Sequence, residues 1–436
     1  MTAGPRLTMP ALADTSGTNR EGEVAQAGGA TVRRVLLASL VFGPLFFPSS
    51  SPSAQLLLSY ATFGLAFVAR PLGAAIFGHF GDRVGRKSTL VWSLMLMGGS
   101  TLAIAFLPTY GQVGWLAPFL LCLLRFGQGL GLGGEWGGAA LLAVEYAPPG
   151  WRARFGMVPQ LGAPVGFLAA NGLFLLLGLW LSPQDFRDWG WRIPFLLSAI
   201  LVGFGLWVRL RLAETPAFAA ALEAAPPPKL PLVEVLSRHL GVTVAGTFAV
   251  VACFCLYYIA TTFALGYGTT TLGYSKTAFL QTQLVAILFM AGGILLAGWL
   301  SDRSTPRLVL MLGCVATIAA GLVMGPLMES GSLLAVFLFL AFALACMGFV
   351  YGPLGAWLPG LFPPLARYTG ASIAFNVGGI LGGALTPFVA QLLAGKGGLM
   401  LVGLYLSGAA AVSLVALLLV GKRGFDEGAK VGVVGP

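Results

Sequence analysis

Long apolar stretches alternate with short polar ones along most of the chain. A membrane-spanning helix needs about 20 mainly apolar residues. Eleven stretches come near or above that length: residues 56–80, 88–108, 114–143, 155–181, 191–210, 240–266, 278–300, 307–328, 332–358, 369–393 and 398–421. A further apolar piece, residues 35–47, contains Pro44 and has only 13 residues, too few to span comfortably. The pattern therefore predicts an all-α membrane protein with about eleven full spans and a short first helix.

Lysine and arginine fall mainly on alternate loops. They cluster at residues 82–87, 152–154, 209–238, 303–307, 367 and 422–423, whereas the intervening loops carry few. Because basic residues concentrate on the cytoplasmic side, these loops and the tail 424–436 are predicted to be cytoplasmic. Arg33 and Arg34 also place the N-terminus inside. Because eleven spans would leave the two termini on opposite sides, the piece 35–47 must either cross the membrane or break the pattern. Residues 1–32 are polar, rich in glycine and alanine, and predicted to be disordered.

Composition agrees with this topology and excludes other classes. Of the 436 residues, 57% are hydrophobic and 9% are charged, and the mean hydropathy is +0.87. A soluble domain carries about 25% charged residues. The net charge of +10 is attributed to the cytoplasmic loops and does not indicate nucleic-acid binding. The five cysteines lie in apolar runs without metal-ligand spacing. No nucleophile–base set is present, so we expect neither an enzyme nor a bound cofactor.

The longest interior polar segment, residues 212–238, is predicted to be a central cytoplasmic loop. Pro226–Pro228 make it stiff and locally non-helical. It separates an N-terminal helical half, residues 33–211, from a C-terminal helical half, residues 239–423. Two comparable halves are typical of one large class of secondary transporters.

The run Gly78–Leu90 is the densest cluster of charges between apolar stretches of the first half. A weaker copy follows in the second half, where Gly78-x-x-x-Asp82-Arg83 recurs as Gly298-x-x-x-Asp302-Arg303. Charges cannot face lipid cheaply, so the run is predicted to be a short loop at the membrane surface. An aspartate at the end of one helix can accept hydrogen bonds from the N-terminus of another. The alternative, a merely solvated turn, would not require three glycines at this spacing.

These motifs resemble those of the major facilitator superfamily. The run GHFGDRVGRK matches the family's most specific loop signature, between its second and third helices. Other stretches resemble its metabolite:proton symporter branch: Ala69–Gly73, Arg125–Gly129, Gly133–Gly137, Glu145–Pro148, Trp189–Phe195, Glu214–Pro216 and Arg367–Ser372. The resemblance covers about residues 35–423 and implies the major facilitator fold, with two six-helix halves and both termini cytoplasmic. It also implies proton-coupled uptake of a small organic solute, often a carboxylate, a shikimate-like acid or a betaine.

The resemblance further implies a gating role for the charged loop, which in the family latches the two halves in the outward-facing state. That role carries over to Gly78, Asp82, Arg83, Gly85, Arg86 and Lys87. We expect the second copy and the flanks of the next cytoplasmic loop to belong to the same gate. Those residues are Asp302, Arg303, Glu145 and Arg154.

Three departures from the family pattern stand out. About twenty residues of the first span are absent after Leu40, in agreement with the short piece 35–47. Ser304-Thr305-Pro306 stands where the second copy of the loop would have Gly-Arg. Gly360 stands where the branch usually has glutamate.

Three charges fall inside predicted spans, where charges are usually functional or paired. Glu135 is the candidate proton carrier, and the alternative is a structural pair with Arg125 or Arg70. Arg125 matches the family's R-x-x-Q-G motif, which is associated with proton transfer and includes Gln128. Two arginines against one acid leave this half positive. Either an anionic substrate completes the charge, or the shortened first helix has removed the partners.

Polar and aromatic residues inside other spans are candidate substrate contacts. The N-terminal half offers the buried amides Gln160 and Asn171, and the C-terminal half offers Tyr257, Tyr258, Trp357 and Asn376. Such residues orient a small polar ligand against an apolar wall. The competing interpretation for each aromatic residue is packing or an interfacial position.

The leading hypothesis is a monomeric symporter of the cytoplasmic membrane that uses the proton gradient to move a small organic solute by alternating access. The main alternative is a truncated, transport-deficient or sensor-like relative, suggested by the short piece 35–47. A channel is disfavoured because the halves are paired and no repeated pore signature occurs.

Overall fold

The computed structural model describes residues 45–47, 52–211, 216–224 and 226–421. Nine long helical stretches precede residue 367 in this part of the chain: α1 (Pro52–Arg83), α2 (Arg86–Ile104), α3 (Leu116–Glu145), α4 (Arg152–Trp180), α5 (Gly190–Arg211), α6 (Leu240–Thr270), α7 (Lys276–Arg303), α8 (Pro306–Met328) and α9 (Leu333–Trp357). The stretch Arg367–Val420 breaks at Gly397 and Gly398, which have non-helical dihedral angles. It therefore forms two helices, α10 (residues 367–396) and α11 (residues 399–420).

These helices fall on the eleven predicted spans. Within the described ranges, eight stretches are long and apolar enough to cross a membrane, with α10 and α11 counted as one. The two that are less apolar are α1 and α2; α1 carries Arg70, Asp82 and Arg83. Residues 1–44, 48–51, 212–215, 225 and 422–436 lie outside the described part. Most of the predicted short first helix, the disordered N-terminus and the cytoplasmic tail are therefore not described.

Short helices join the long ones at the surfaces of the bundle. Tyr110–Val113 and Pro183–Asp188 connect helices at one end. The connection between the halves contains Pro216–Ala224 and Pro231–Arg238, on either side of the non-helical Pro226–Pro228. Proline suits the first turn of a helix, because its missing N–H has no partner there anyway.

Glycines allow the helices within each half to pack closely. A Cβ atom at Gly133 of α3 would lie 2.0 Å from the carbonyl oxygen of Arg70 in α1. In the other half, a Cβ atom at Gly293 of α7 would lie 2.5 Å from the carbonyl oxygen of Ala345 in α9. Close backbone approach through small residues is the main packing mode of membrane helices. The pairs α1–α3 and α7–α9 occupy equivalent places in the two halves.

Three of the long helices contain a turn that departs from α-helical geometry. Helix α6 contains a π-helical turn, Ile259–Phe263, and α10 contains another, Ile380–Ala384. Helix α4 tightens to a 3₁₀ turn at Pro159–Leu161. Such local changes of helical pitch are frequently found at functional sites.

Candidate functional site

Asp82, at the end of α1, binds the N-terminus of α10 in the other half. Its carboxylate accepts hydrogen bonds from the backbone N–H groups of Tyr368, at 3.1 Å, and Thr369, at 2.9 Å. The positive end of the α10 dipole stabilises this fully buried carboxylate. A Cβ atom at Gly78 would lie 2.7 Å from the Thr369 hydroxyl oxygen, so the approach requires glycine. The sequence motif thus joins the halves at one end of the bundle.

Asp302, at the end of α7, makes the corresponding contact in the opposite direction. It accepts hydrogen bonds from the backbone N–H groups of Ala153, at 2.8 Å, and Arg154, at 3.1 Å, at the N-terminus of α4. The Nε atom of Arg154 also lies 3.0 Å from its carboxylate. The degraded second copy of the motif therefore keeps the contact, although Ser304-Thr305-Pro306 replaces Gly-Arg. We call the end that carries Asp82 and Asp302 the basic face.

A buried charge cluster lies beside Asp82 on the basic face. Arg86 forms an ion pair with Glu145 and donates a hydrogen bond to the carbonyl oxygen of Pro364, at 3.2 Å, in the other half. Arg367 approaches Glu145 to 3.8 Å. Glu145 thus pairs with Arg86 of the first copy of the motif, whereas Arg154 pairs with Asp302 of the second copy.

The other predicted gating residues lie near these contacts. Arg83 is exposed and lies 3.4 Å from the carbonyl oxygen of Lys229 in the central connection. Gly85 joins α1 to α2 with a φ of 138°, which side-chain-bearing residues rarely adopt. Lys87 is partly buried in the first turn of α2. Arg303 stacks on Trp299 of its own helix, with its Cζ atom 3.9 Å from the ring centre.

Below the basic face, α3 and α10 close the space between the halves. The hydroxyl of Tyr368 donates to the carbonyl oxygen of Gly134 at 2.5 Å, and the side-chain amide of Asn376 donates to that of Gly133 at 3.0 Å. Trp136 stacks on Phe375 at a centroid distance of 3.7 Å. Candidate contact Asn376 is therefore part of the closure in this conformation.

Gln160 and Asn171, the candidate amides of α4, also contact protein groups. The Nε1 atom of Trp136 donates to Gln160 at 3.1 Å, and Gln160 is fully buried. Asn171 donates to the carbonyl oxygen of Phe167, one turn earlier in its own helix, at 3.1 Å. Trp357 is buried at the end of α9 that lies towards the basic face.

Arg70 lies between the halves at the centre of the bundle. Its guanidinium carbon is 3.8 Å from the ring centre of Phe67, and the guanidinium interacts with the hydroxyl of Tyr258 and lies near Tyr351. The rings of Tyr257 and Tyr258 meet edge to face at 5.4 Å. The buried Nε atom of Arg70 has no hydrogen-bond partner. Arg70, Tyr257 and Tyr258 are thus brought together as a candidate ligand site.

Arg125 occupies a separate polar cluster inside the N-terminal half. It donates to the side-chain oxygen of Gln128 at 3.2 Å, and Gln128 donates to the hydroxyl of Thr101 in α2 at 2.7 Å. Thr101 and the central Tyr351 were missed by the sequence analysis. A polar side chain inside an otherwise apolar run was the signal available for both.

Glu135 pairs with Arg209 of α5 and accepts a hydrogen bond from Ser93 of α2 at 3.3 Å. The suggested alternative pair with Arg125 or Arg70 is wrong. Arg125 lies ten residues away on the same helix, about 15 Å along its axis, and Arg70 faces α6 instead. Arg209 was assigned to topology only, because it stands near the end of a predicted span. The role of Glu135 as proton carrier stays a prediction.

Metal chemistry has no candidate cluster in the part that the structure covers, since no three His, Cys, Asp or Glu side chains there form a possible site.

The sequence profile of the Major Facilitator Superfamily matches residues 35–387. The chain is 49% identical over 387 residues to the inner membrane metabolite transport protein YhjE of Escherichia coli (strain K12). This match covers 88% of each chain. It is 38% identical over 362 residues to the shikimate transporter of that organism, with 82% of each chain covered. It is 32% identical over 388 residues to the proline/betaine transporter, covering 86% of this chain and 76% of the relative.

The fold resembles that of the proton:xylose symporter XylE bound to 6-bromo-6-deoxy-D-glucose. The TM-score is 0.73, and the likeness covers 92% of this chain and 94% of the other. At 16% sequence identity this likeness concerns the fold alone.

Proposed function

The chain belongs to the major facilitator superfamily, and the relatives named above are membrane transporters of metabolites rather than enzymes. On that premise we propose that it carries out proton-coupled symport of a small organic acid. The two halves rock about a central site, which opens to one side of the membrane at a time. The basic face lies in the cytoplasm, in keeping with the distribution of lysine and arginine. The conformation described here is then closed to the cytoplasm.

The main support for the transport mechanism is a pair of equivalent contacts between helix ends on the basic face. Asp82 and Asp302 each hold the first turn of a helix in the opposite half. Both contacts break if the halves rotate apart as rigid bodies, without unfolding any helix. A gate made of helix ends therefore suits alternating access.

The charge at the centre supports an anionic substrate. A cation at bilayer depth costs about 2.5–3.5 kcal/mol on insertion scales. Arg70 is offset by two tyrosines and a phenylalanine ring rather than by a carboxylate. A bound carboxylate would neutralise the guanidinium and occupy its unused Nε donor.

Glu135 is the residue that supports proton coupling. The other acids in or beside the described spans stand at helix ends: Asp82, Glu145, Asp302 and Glu329. Protonation of Glu135 would weaken its pair with Arg209 and so loosen α5 from α3. The proposed coupling residue thus acts beside the central site and not inside it.

Uptake into proteoliposomes tests the proposal. Labelled shikimate, a dicarboxylate such as succinate and glycine betaine are offered with and without an inward proton gradient. We expect gradient-driven accumulation of at least one acid and none in liposomes without protein. Absence of gradient-driven uptake for the whole set would refute the assignment.

A second candidate function is a transport-deficient or sensor-like relative, which the 13-residue apolar piece 35–47 favours. Such a protein would bind a solute without moving it. Binding measured on the purified protein, together with absent uptake, would support it. Insertion of a full-length first helix after Leu40 should then restore transport.

A further inference from the structure

Gln283 of α7 is buried against the π-helical turn of α6. Its side-chain amide donates hydrogen bonds to the carbonyl oxygens of Ala260, at 2.9 Å, and Thr261, at 2.8 Å. Only 1% of Gln283 is exposed. Because both partners are acceptors, the amide nitrogen must face them, and its buried oxygen is left without a partner. An apolar side chain would avoid that unsatisfied oxygen, so the amide has a use that packing does not explain.

The π turn leaves carbonyl groups that the amide can satisfy. The N–H of Ala264 reaches back five residues to the carbonyl oxygen of Ile259, one residue farther than in an α-helix. The hydroxyl of Thr261 donates a hydrogen bond to the carbonyl oxygen of Tyr257, at 2.6 Å. Gln283 and Thr261 therefore stabilise the turn from two sides.

The π turn lies between two closely packed faces of α6. Before it, Thr247 contacts α10, where a Cβ atom at Gly378 would lie 2.6 Å from the Thr247 carbonyl oxygen. After it, Gly268 lies against Phe279 of α7, where a Cβ atom would be 2.2 Å from the ring. One extra residue per turn rotates the two segments by about 100° relative to each other.

Tyr258 is the last residue before the turn, and its ring lies 5.8 Å from that of Phe67 in the other half. A change of register in α6 moves Tyr258 away from Phe67 and Arg70. We propose that Gln283 is a positioning residue, which holds the π turn of α6 so that Tyr258 faces Arg70 and the central site keeps its affinity for an anionic ligand. This inference rests on the proposed function for the ligand, but its structural part does not.

A cross-linking experiment tests the structural part without any substrate. Phe67→Cys and Tyr258→Cys are introduced into a chain whose five native cysteines are replaced, and a short bifunctional thiol reagent is applied. Gln283→Leu should reduce the rate of cross-linking about tenfold. Gln281→Leu is the matched control, since Gln281 is an exposed amide two positions away on the same helix, and it should leave the rate unchanged. Equal rates in both variants would overturn the proposal.

A double-mutant cycle tests the functional part with labelled shikimate as probe. Gln283→Leu and Tyr258→Phe should each raise the KM for uptake about tenfold and change the maximal rate less than threefold. If Gln283 acts through Tyr258, the KM of the double variant equals that of the single variant with the higher KM. Multiplied effects would contradict this. Absent uptake in the parent chain refutes the proposed function instead, and cross-linking still decides the positioning role.

Gel filtration and thermal melting show whether Gln283→Leu remains folded. If it does not, Gln283→Asn replaces it in both experiments. Asparagine keeps the amide but shortens its reach by one methylene, so a well-folded Gln283→Asn chain with normal cross-linking and normal KM would likewise overturn the proposal.

Discussion

The carboxylate of Asp82 lies 2.9 Å from the backbone nitrogen of Thr369, and Asp302 repeats the relationship with Ala153 at 2.8 Å. Each aspartate ends a helix of one half and receives the first turn of a helix from the other half. Both contacts lie on the basic face, so one motion of the halves breaks them together. The contacts that join the halves on the basic face are therefore made by the two copies of the repeated motif.

Removing the Asp82 carboxylate should loosen the first turn of α10. Hydrogen bonds to a charged group contribute about 1.5–3 kcal/mol each, and each 1.4 kcal/mol is a factor of ten in an opening equilibrium. Asp82→Ala should speed hydrogen exchange at Tyr368 and Thr369 at least tenfold, and Asp302→Ala should do so at Ala153 and Arg154. Exchange mass spectrometry gives the rates. Asp188→Ala, in an exposed short helix, is the control, and unchanged rates in Asp82→Ala would contradict the account.

Helix packing in the N-terminal half depends on Gly133, whose Cβ position is blocked by the carbonyl oxygen of Arg70. Overpacking of this kind costs about 1–3 kcal/mol, so Gly133→Ala should lower the melting temperature in detergent. Gly166→Ala is the matched control, because nothing lies within 4 Å of that Cβ position. Alanine there should stabilise α4 by about 0.5–1 kcal/mol. Equal melting temperatures for the two variants would mean that this contact is not close.

We expect Arg70 to recognise the negative charge of the substrate. Arg70→Gln removes the guanidinium from the central site but keeps polar atoms, and it should raise the KM for carboxylate uptake at least a hundredfold. Arg211→Gln removes an exposed arginine that stacks on Trp207 and should leave the KM unchanged. Uptake kinetics in proteoliposomes separate the two. A normal KM in Arg70→Gln would exclude an anion site at this place.

Sequence patterns predicted the spans and the charges at the end of α1 because each depends on local information. The predicted loop Gly78–Leu90 is wrong in extent, since only Val84 and Gly85 lie between the two helices. Apolar length defines a span, and helix-end charge with three glycines defines the loop. The partner of Glu135 could not be predicted in this way, since it depends on the rotation of α3 relative to α2 and α5. The position of Arg209 was already explained by the rule for basic cytoplasmic helix ends. Its pairing with Glu135 was therefore not considered.

The C-terminal half shows the same limit. Tyr258 was recognised as a polar residue in an apolar span, but its meeting with Arg70 depends on the π turn Ile259–Phe263. That turn interrupts the period on which helix prediction rests. Gln283, which holds it, stands in a span that reads as ordinary apolar helix.

Coupling should depend on the Glu135–Arg209 pair. Glu135→Gln cannot lose or gain the proton, so it should abolish uphill uptake while sparing exchange of labelled for unlabelled substrate. Glu234→Gln, in a short helix of the central connection, is the control and should retain both. Counterflow and gradient-driven uptake are measured on the same proteoliposomes. Unchanged uphill uptake in Glu135→Gln would remove this residue from the coupling role.

Proton entry on addition of substrate tests the central claim most directly. Proteoliposomes are loaded with a pH-sensitive dye, and an acid that supports uptake is added with no gradient imposed. Symport predicts that the lumen becomes acidic as the solute enters, and that Glu135→Gln abolishes this acidification. Entry of the labelled acid without any change of lumenal pH would contradict proton-coupled symport.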